Sequence, residues 1–185
     1  GGLGALRCHH LNISQTIFMR NKGSKGAGVG ITETQELFLS DLYFFRNRAS
    51  YAGACIFMLR GRHLTMTQTL YIKNEAYDFF GDNEEKSCGF VCAMEIVNVK
   101  VTFCVFSRNK QPFIYVYKGH ELEIYNTKFI NGTSKYGAAV LVDDCKEIYI
   151  SNSYFKNLAA FRSGGAVFIQ YFVNFSVIYS RFTYN

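Results

Sequence analysis

The sequence predicts an all-β protein, a solenoid in which short strands coil into rungs that stack on one another. Two signals support this fold, and both recur about every 25 residues. One is an aromatic residue followed three positions later by Asn, and the other is a cluster of small residues followed by a short apolar run. No segment carries the 3.6-residue apolar stripe of an amphipathic helix. A unit of this length cannot bury its own apolar face, but a stack of such units can.

The aromatic–Asn signal covers nearly the whole chain. Its aromatic residues lie 26, 27, 35, 23, 25 and 28 residues apart, and in the copy at Phe129 the Asn, Asn131, comes one position early. An Asn amide can hydrogen-bond the rungs above and below it, and Asn tolerates the left-handed backbone of a sharp turn. We therefore predict an Asn ladder made of Asn21, Asn47, Asn74, Asn109, Asn157 and Asn185. Beside it we predict an aromatic stack inside the coil, made of Phe18, Phe44, Tyr71, Phe106, Phe129, Tyr154 and Phe182.

The small-residue signal marks a corner of the coil. It occurs at residues 26–28, 52–54, 88–89, 137–139 and 164–166. At such a corner a Cβ would crowd the neighbouring backbone. The longest interval contains an acidic insert, residues 82–86, which we interpret as a loop leaving one rung. The alternative fold is an ordinary β-sandwich, but a sandwich does not repeat the same pair of signals at this spacing.

The paired motifs F-x-x-N and G-G-A-[ILV] resemble the repeat of the chlamydial polymorphic outer-membrane proteins and of large surface proteins with pectin-lyase-like folds. The F-x-x-N half covers nearly the whole chain, whereas G-G-A-V is complete only at residues 164–167. The resemblance implies a right-handed parallel β-helix of about seven rungs. It also implies a role in surface adhesion or structure rather than in a reaction.

Length and composition indicate a single β-helix domain, residues 1–185. The chain has 18 Phe, 13 Tyr and one Pro, and its formal charge of +6 comes from Lys and Arg scattered along the repeats. There is no basic block and no nucleic-acid motif, so we expect no nucleic-acid partner. There is also no apolar run long enough to span a membrane. The chain starts at Gly1 and ends on a repeat, so we expect a fragment or repeat unit whose uncapped ends stack head to tail into a filament.

Six cysteines favour disulfide bonds, because they are even in number in a chain that otherwise reads as extracellular. The candidates are Cys8, Cys55, Cys88, Cys92, Cys104 and Cys145. Two alternatives stay open. Cys88 and Cys92 have a spacing seen in metal sites but lack a second close pair, and free thiols stacked in the core are equally ordinary.

Three sequons, at Asn12, Asn131 and Asn174, match the N-glycosylation pattern, so covalent N-glycans are predicted partners. Asn131 is the strongest candidate because its sequon lies at a predicted turn. The sequons and cysteines together favour an extracellular or cell-surface location.

The carboxylates do not suggest an enzyme. Asp143 and Asp144 are adjacent, and consecutive strand residues point to opposite faces. A glycosidase needs converging carboxylates, so we expect no catalytic, cofactor-binding or metal-binding residue. The predicted function is an extracellular structural protein whose solenoid segments assemble end to end into a glycosylated fibril. One alternative is an adhesin segment that binds a glycan or host protein through a stripe of exposed tyrosines, such as Tyr115, Tyr117, Tyr149, Tyr171 and Tyr179. The other is a polysaccharide lyase or hydrolase.

Overall fold

The computed structural model describes residues 2–76 and 89–185, the side chain of Asn109 excepted. These residues contain no helix long and apolar enough to cross a membrane. They form nineteen strands joined by turns, and the later strands are the longer ones. In chain order the strands are β1 (Leu3–Leu6), β2 (His10–Ser14), β3 (Ile17–Met19), β4 (Lys22–Lys25), β5 (Val29–Thr32), β6 (Glu36–Ser40), β7 (Tyr43–Phe45), β8 (Arg48–Ala52), β9 (Ile56–Thr67), β10 (Leu70–Ile72), β11 (Glu75–Ala76), β12 (Val91–Thr102), β13 (Val105–Asn109), β14 (Ile114–Tyr125), β15 (Lys128–Tyr136), β16 (Val140–Ser151), β17 (Tyr154–Ser163), β18 (Val167–Ile178) and β19 (Arg181–Thr183).

The strands form a parallel coil. Each strand of the described residues pairs in parallel with its counterpart in an adjacent turn. One sheet runs β1-β5-β9-β12-β14-β16-β18 with β2 and β6 beside it, a second runs β3-β7-β10-β13-β15-β17-β19, and a third joins β4, β8 and β11. The second sheet has seven strands, one from each rung. The chain is therefore an all-β parallel solenoid, which confirms the predicted fold class.

The core consists of apolar columns that run along the axis of the coil. Side chains alternate between the inside and the outside along each strand, so equivalent positions of successive rungs stack. One column contains Val29, Ile56, Val91, Ile114 and Val140, all completely buried. Because neighbouring rungs lie about 4.8 Å apart, each of these side chains packs mainly on the rung above and the rung below. Stability in such a coil comes from contacts between adjacent rungs.

The coil turns at three corners where the backbone is left-handed. At each corner a non-glycine residue with φ between 49° and 64° recurs in successive rungs. This conformation costs about 1–3 kcal/mol for a non-glycine residue, so the pairing on both sides must hold it. The first corner holds Arg7, Glu33, Arg60, Glu95, Lys118, Asp144 and Tyr171; the second holds Gln15, Asp41, Gln68, Phe103, Asn126, Asn152 and Tyr179; the third holds Arg20, Arg46, Lys73, Arg108, Asn131, Asn157 and Tyr184.

A fourth turn requires glycine, at the small-residue clusters of the sequence. Gly26, Gly53, Gly137 and Gly164 all have positive φ there. A Cβ added to Gly53 would lie 2.3 Å from the carbonyl oxygen of Ile56, which is far inside contact distance. The small-residue signal therefore marks a crowded corner, as the sequence suggests. The acidic insert at residues 82–86 lies outside the described residues.

Candidate functional site: stacked columns and an open end

A continuous stack of aromatic rings lies inside the coil. Successive ring centroids are 4.4 to 5.1 Å apart, and the ring planes are within 14° of parallel. Each such pair contributes about 0.5–1.5 kcal/mol beyond its buried area, so the stack ties every rung to the next. Its members are Phe18, Phe44, Tyr71, Phe106, Phe129, Phe155 and Phe182.

The prediction of Tyr154 as the sixth ring is wrong, because Phe155 occupies that place. Phe155 pairs with Phe129 on one side and with Phe182 on the other. Tyr154 pairs instead with Lys128 and Arg181. Adjacent residues of a strand point to opposite faces, so a shift of one position exchanges an inner ring for an outer one.

The Asn ladder is continuous through the first three rungs. The side-chain oxygen of Asn47 accepts hydrogen bonds from the backbone N–H and the side-chain amide of Asn21, both at 3.0 Å. Asn47 in turn donates from its backbone and side chain to Asn74 Oδ1, at 2.9 and 3.0 Å. The Asn47 amide also donates to the carbonyl of Phe18, and that of Asn74 to the carbonyl of Phe44. Asn47 and Asn74 are completely buried, so the ladder is part of the core.

The ladder is interrupted in the later rungs. Asn109 pairs through its backbone with Gly132, and Gly132 pairs with Leu158, so Gly and Leu hold the ladder position there. The prediction of Asn157 as a ladder member is therefore wrong. Asn157 lies one residue earlier, at the third corner, and its exposed amide donates to Asn131 Oδ1 at 3.0 Å. Asn185 resumes the ladder by accepting from the Leu158 N–H and donating to the carbonyl of Phe155.

A column of hydroxyl groups, which our sequence analysis missed, runs beside the aromatic stack. Each hydroxyl donates to the carbonyl oxygen two residues earlier, at 2.7 to 3.0 Å. Several also accept a backbone N–H from the preceding rung, for example Ser153 from Thr127 and Ser180 from Ser153, both at 3.2 Å. The column contains Thr16, Thr69, Thr127, Ser153 and Ser180. The signal was present in the sequence, because each member stands two residues before a ring of the stack.

The first corner alternates in charge along the axis. Arg7 Nε lies 2.8 Å from Glu33 Oε2, and Arg60 Nε lies 3.3 Å from Glu95 Oε2. Hydrogen bonding and charge from Arg7 lower the pKa of Glu33. Exposed ion pairs of this kind contribute little to stability. The alternation of sign instead favours the observed pairing of the rungs, because a pairing that placed like charges opposite each other would be destabilised.

The predicted disulfide bonds are wrong for the cysteines that the structure describes. Cys8, Cys55, Cys92, Cys104 and Cys145 form no disulfide bond, and Cys88 lies outside the described residues. A disulfide needs Cβ atoms about 3.5–4.5 Å apart, whereas these residues occupy different columns or distant rungs. Cys104, for example, stands in the hydroxyl column, and Cys92 belongs to a separate apolar cluster.

Burial keeps several of these thiols protonated. It raises the pKa of Cys104 to about 12 and that of Cys145 to about 11, and it raises the pKa of Cys55 well above its ordinary value. Only the thiolate is a good nucleophile or metal ligand. These cysteines therefore act as small core residues at neutral pH.

The three sequon asparagines all lie on the surface. Asn12 is in β2, Asn131 is at the third corner and Asn174 is in β18, and each side chain is exposed. The Asn174 amide donates to Glu147 at 2.9 Å. A glycan can be attached only to an exposed side chain. The glycosylation of these three asparagines stays a prediction.

Four carboxylates, Glu121, Asp143, Asp144 and Glu147, lie in the adjacent strands β14 and β16. Asp144 stands at the first corner, and Asp143 precedes it in β16. Glu121 and Glu147 pair in adjacent rungs and accept hydrogen bonds from Asn98 and Asn174, respectively. The described residues hold no group of three or more His, Cys, Asp or Glu side chains placed for a metal ion. That the protein is not an enzyme stays a prediction.

The tyrosines proposed as a stripe are not equivalent. Tyr115 is buried in an outer apolar cluster with Phe57, Cys92 and Leu141, and Tyr117 packs against it. Other tyrosines of the set are exposed, namely Tyr149, Tyr171 and Tyr179. Tyr115 therefore cannot belong to an exposed stripe of tyrosines.

The last rung leaves core columns uncovered. We call this surface, formed by β18, β19 and Asn185, the open end. It surrounds a hollow of about 560 Å³ whose lining includes Val167, Ile169, Phe175, Val177 and Phe182. Phe175 is 42% exposed and Phe182 46%, whereas the residues that precede them in their columns, Ile148 and Phe155, are completely buried. The open end thus exposes groups that every inner rung covers.

Comparisons with known proteins agree with this architecture. Residues 27–185 match the family model described as the right-handed beta helix region, from the second rung through the last. No curated protein and no solved structure matches the chain. The parallel coil and the family match agree with the handedness that the sequence resemblance implies. The chain belongs to the right-handed β-helix family.

Proposed function

We propose that this β-helix is an extracellular structural segment that assembles end to end, with the open end of one copy stacking on the first rung of the next. The observation that carries the proposal is the chemistry of the open end. Its exposed groups are those that hold adjacent rungs together elsewhere in the coil. A second copy that continues the coil would cover them in the same way.

The apolar columns would continue across such a junction. In the register of the coil, Val167 of one copy meets Leu3 of the next, Phe175 meets Leu11, and Phe182 meets Phe18. In the isolated chain, Leu3 and Leu11 are half-buried and pack against the core. The junction would therefore bury apolar surface from both copies, which is the main driving force for association.

The polar columns would continue as well. Within the coil, the backbone N–H of Asn47 donates to the side-chain oxygen of the next Asn, Asn74. In the same pattern, the Asn185 N–H would donate to Asn21 of the next copy. The Ser180 N–H would likewise reach Thr16 Oγ1, as Ser153 reaches Ser180 within the coil. A head-to-tail contact of this type does not close on itself, so it produces filaments.

The exposed sequons support an extracellular location. Asn12, Asn131 and Asn174 all present their side chains to solvent, and a bulky glycan is compatible only with such positions. Asn131 lies in neither the first nor the last rung, so a glycan on it would leave the junction accessible.

The test is sedimentation velocity over a range of concentrations, on protein secreted from eukaryotic cells with and without N-glycosidase. Wild-type protein should form oligomers that lengthen with concentration. The double variant Phe175→Lys/Phe182→Lys should stay monomeric, because it places two charges in an apolar junction. The control is Phe103→Lys, which introduces the same change at an exposed position on the second corner, and it should assemble like wild type.

Two results would contradict the proposal. One is a wild-type protein that stays monomeric at every concentration, and the other is an open-end variant that assembles as well as the control. Either result would make an adhesive segment of a larger surface protein the better interpretation. A mass that does not change with N-glycosidase would contradict the glycan prediction separately.

A further inference from the structure

Two columns of cations flank the Asn ladder on the surface. The third corner contributes Arg20, Arg46, Lys73 and Arg108, and the positions two residues later contribute Lys22, Arg48 and Lys110. We call these residues the basic stripe. They are scattered in the sequence, but the repeat brings them to one side of the coil at the rung spacing of about 4.8 Å.

The basic stripe differs from the other charged corner. At the first corner a carboxylate alternates with each cation, and the pairs Arg7–Glu33 and Arg60–Glu95 lie within hydrogen-bonding distance. Along the basic stripe, the one carboxylate among the described lining residues is Glu75, whose Oε2 lies 3.1 Å from Arg48 Nε. The third corner itself holds four successive cations. The positive charges of such a column repel one another, and an anionic ligand would relieve this repulsion.

The surface along the stripe is grooved. One hollow of about 570 Å³ is lined by Arg46, Lys73, Arg108 and Lys110 and ends at Asn131 and Thr133. A smaller hollow of about 220 Å³ lies between Arg20, Lys22, Arg46 and Arg48. The two hollows share Arg46 and Arg48, so together they form a groove parallel to the axis. A linear ligand with repeated anionic groups has the shape that such a groove accepts.

The lining residues favour a sulfated polysaccharide over other polyanions. The guanidinium group of Arg presents a fork of donors that binds tetrahedral oxyanions through paired hydrogen bonds. None of the described lining residues is aromatic, so the groove lacks the rings on which single-stranded nucleic acids stack. It also lacks the apolar side chains that insert into a membrane surface. We infer that the basic stripe binds a linear sulfated polysaccharide lying along the coil axis, a role that does not depend on end-to-end assembly.

The test is binding of fluorescently labelled heparin, followed by anisotropy at about 0.15 M salt. The variant is Arg46→Gln/Arg108→Gln. Gln already occupies left-handed corner positions at Gln15 and Gln68, so the substitutions suit the backbone. The control is Arg7→Gln/Arg60→Gln, which removes the same two charges at the first corner. Both proteins should keep the thermal midpoint of wild type to within a few degrees.

Wild-type protein should bind heparin, and raising the salt concentration should weaken the binding, because bound polyanions release counterions. The stripe variant should bind at least about tenfold more weakly, since it loses two charge-assisted contacts to the polyanion, while the control should change less than about twofold. Chemically desulfated heparin should bind as weakly as the stripe variant binds intact heparin.

Four results would overturn the inference. They are absence of heparin binding to wild type, equal losses in the stripe variant and the control, undiminished binding of desulfated heparin, and equally tight binding of a deoxythymidine oligonucleotide. Equal losses would mean that only net charge matters. Tight oligonucleotide binding would point to a nucleic-acid surface instead.

Discussion

At the scale of a single residue, Asn47 explains why the ladder position selects asparagine. The position lies inside the coil, where a polar group must be fully hydrogen-bonded. The Asn47 side chain donates to Phe18 and Asn74 and accepts from Asn21, and its backbone N–H is also bonded. Only a side chain with both a donor and an acceptor at this length can join three rungs in this way.

We therefore predict that Asn47→Ala lowers the free energy of unfolding by about 2–4 kcal/mol, because it leaves buried groups of Phe18 and Asn21 without partners. Urea denaturation followed by circular dichroism measures the change. The control is Asn174→Ala, which removes an exposed hydrogen bond to Glu147 at a position with ordinary strand backbone and should cost less than about 0.5 kcal/mol. Equal losses in the two variants would show that the buried ladder has no special role.

At the scale of an element, the hydroxyl column contains one buried thiol, Cys104, whose raised pKa makes stability depend on pH. Cys104 stands between Thr69 and Thr127 in that column and donates to the carbonyl of Thr102, as the threonines do to theirs. Burial raises its pKa from 9.0 to about 12. Below pH 9 the thiol is neutral in both the folded and unfolded states. Between pH 9 and 12 the unfolded thiol ionises while the folded one keeps its proton, so stability falls as the pH rises.

We predict that Cys104→Thr keeps most of the stability at pH 7 and flattens this alkaline decline. Loss of one such group should reduce the slope of unfolding free energy against pH by up to about 1.4 kcal/mol per unit above pH 9. Urea titrations at pH 7, 9, 10 and 10.5 measure the slope. The decline should not vanish, because Cys55, Cys145 and Tyr71 also have raised pKa values. A slope identical to that of wild type would contradict the burial of Cys104.

The columns also explain what the sequence could predict. Residues that lie one repeat apart in the sequence occupy the same position in successive rungs. The fold class and the ladder at Asn21, Asn47 and Asn74 therefore follow from spacing alone. Spacing cannot decide which of two adjacent aromatic residues points inward. For this reason the prediction of Tyr154, in place of Phe155, as the sixth ring of the stack is wrong. A Ser or Thr stands two residues before five of the seven inner rings, and this second signal shows which aromatic points inward: Ser153 marks Phe155 correctly.

Other features depend on distances that one sequence does not contain. An even number of cysteines says nothing about their columns, and the described cysteines occupy positions that do not face each other across adjacent rungs. The basic stripe is different, because its signal was present in the sequence: Arg20, Arg46, Lys73 and Arg108 each stand directly before an Asn of the repeat. The register of the coil adds that these cations lie on the surface and form one column.

At the scale of the whole molecule, the coil is a one-dimensional stack in which each rung contacts only its neighbours. The aromatic, amide, hydroxyl and apolar columns all reach the open end. A surface of this kind is complementary to the first rung of the same chain. This is the physical basis for the end-to-end assembly that we propose, in which the basic stripe would run along the side of the filament.

The most direct test of the central claim is cryo-electron microscopy of the purified chain at high concentration. We expect unbranched filaments in which the rungs lie perpendicular to the filament axis. One copy should advance the filament by about 34 Å, the length of seven rungs at about 4.8 Å each. Dispersed particles, or filaments whose axial repeat is unrelated to the rung spacing, would contradict end-to-end assembly.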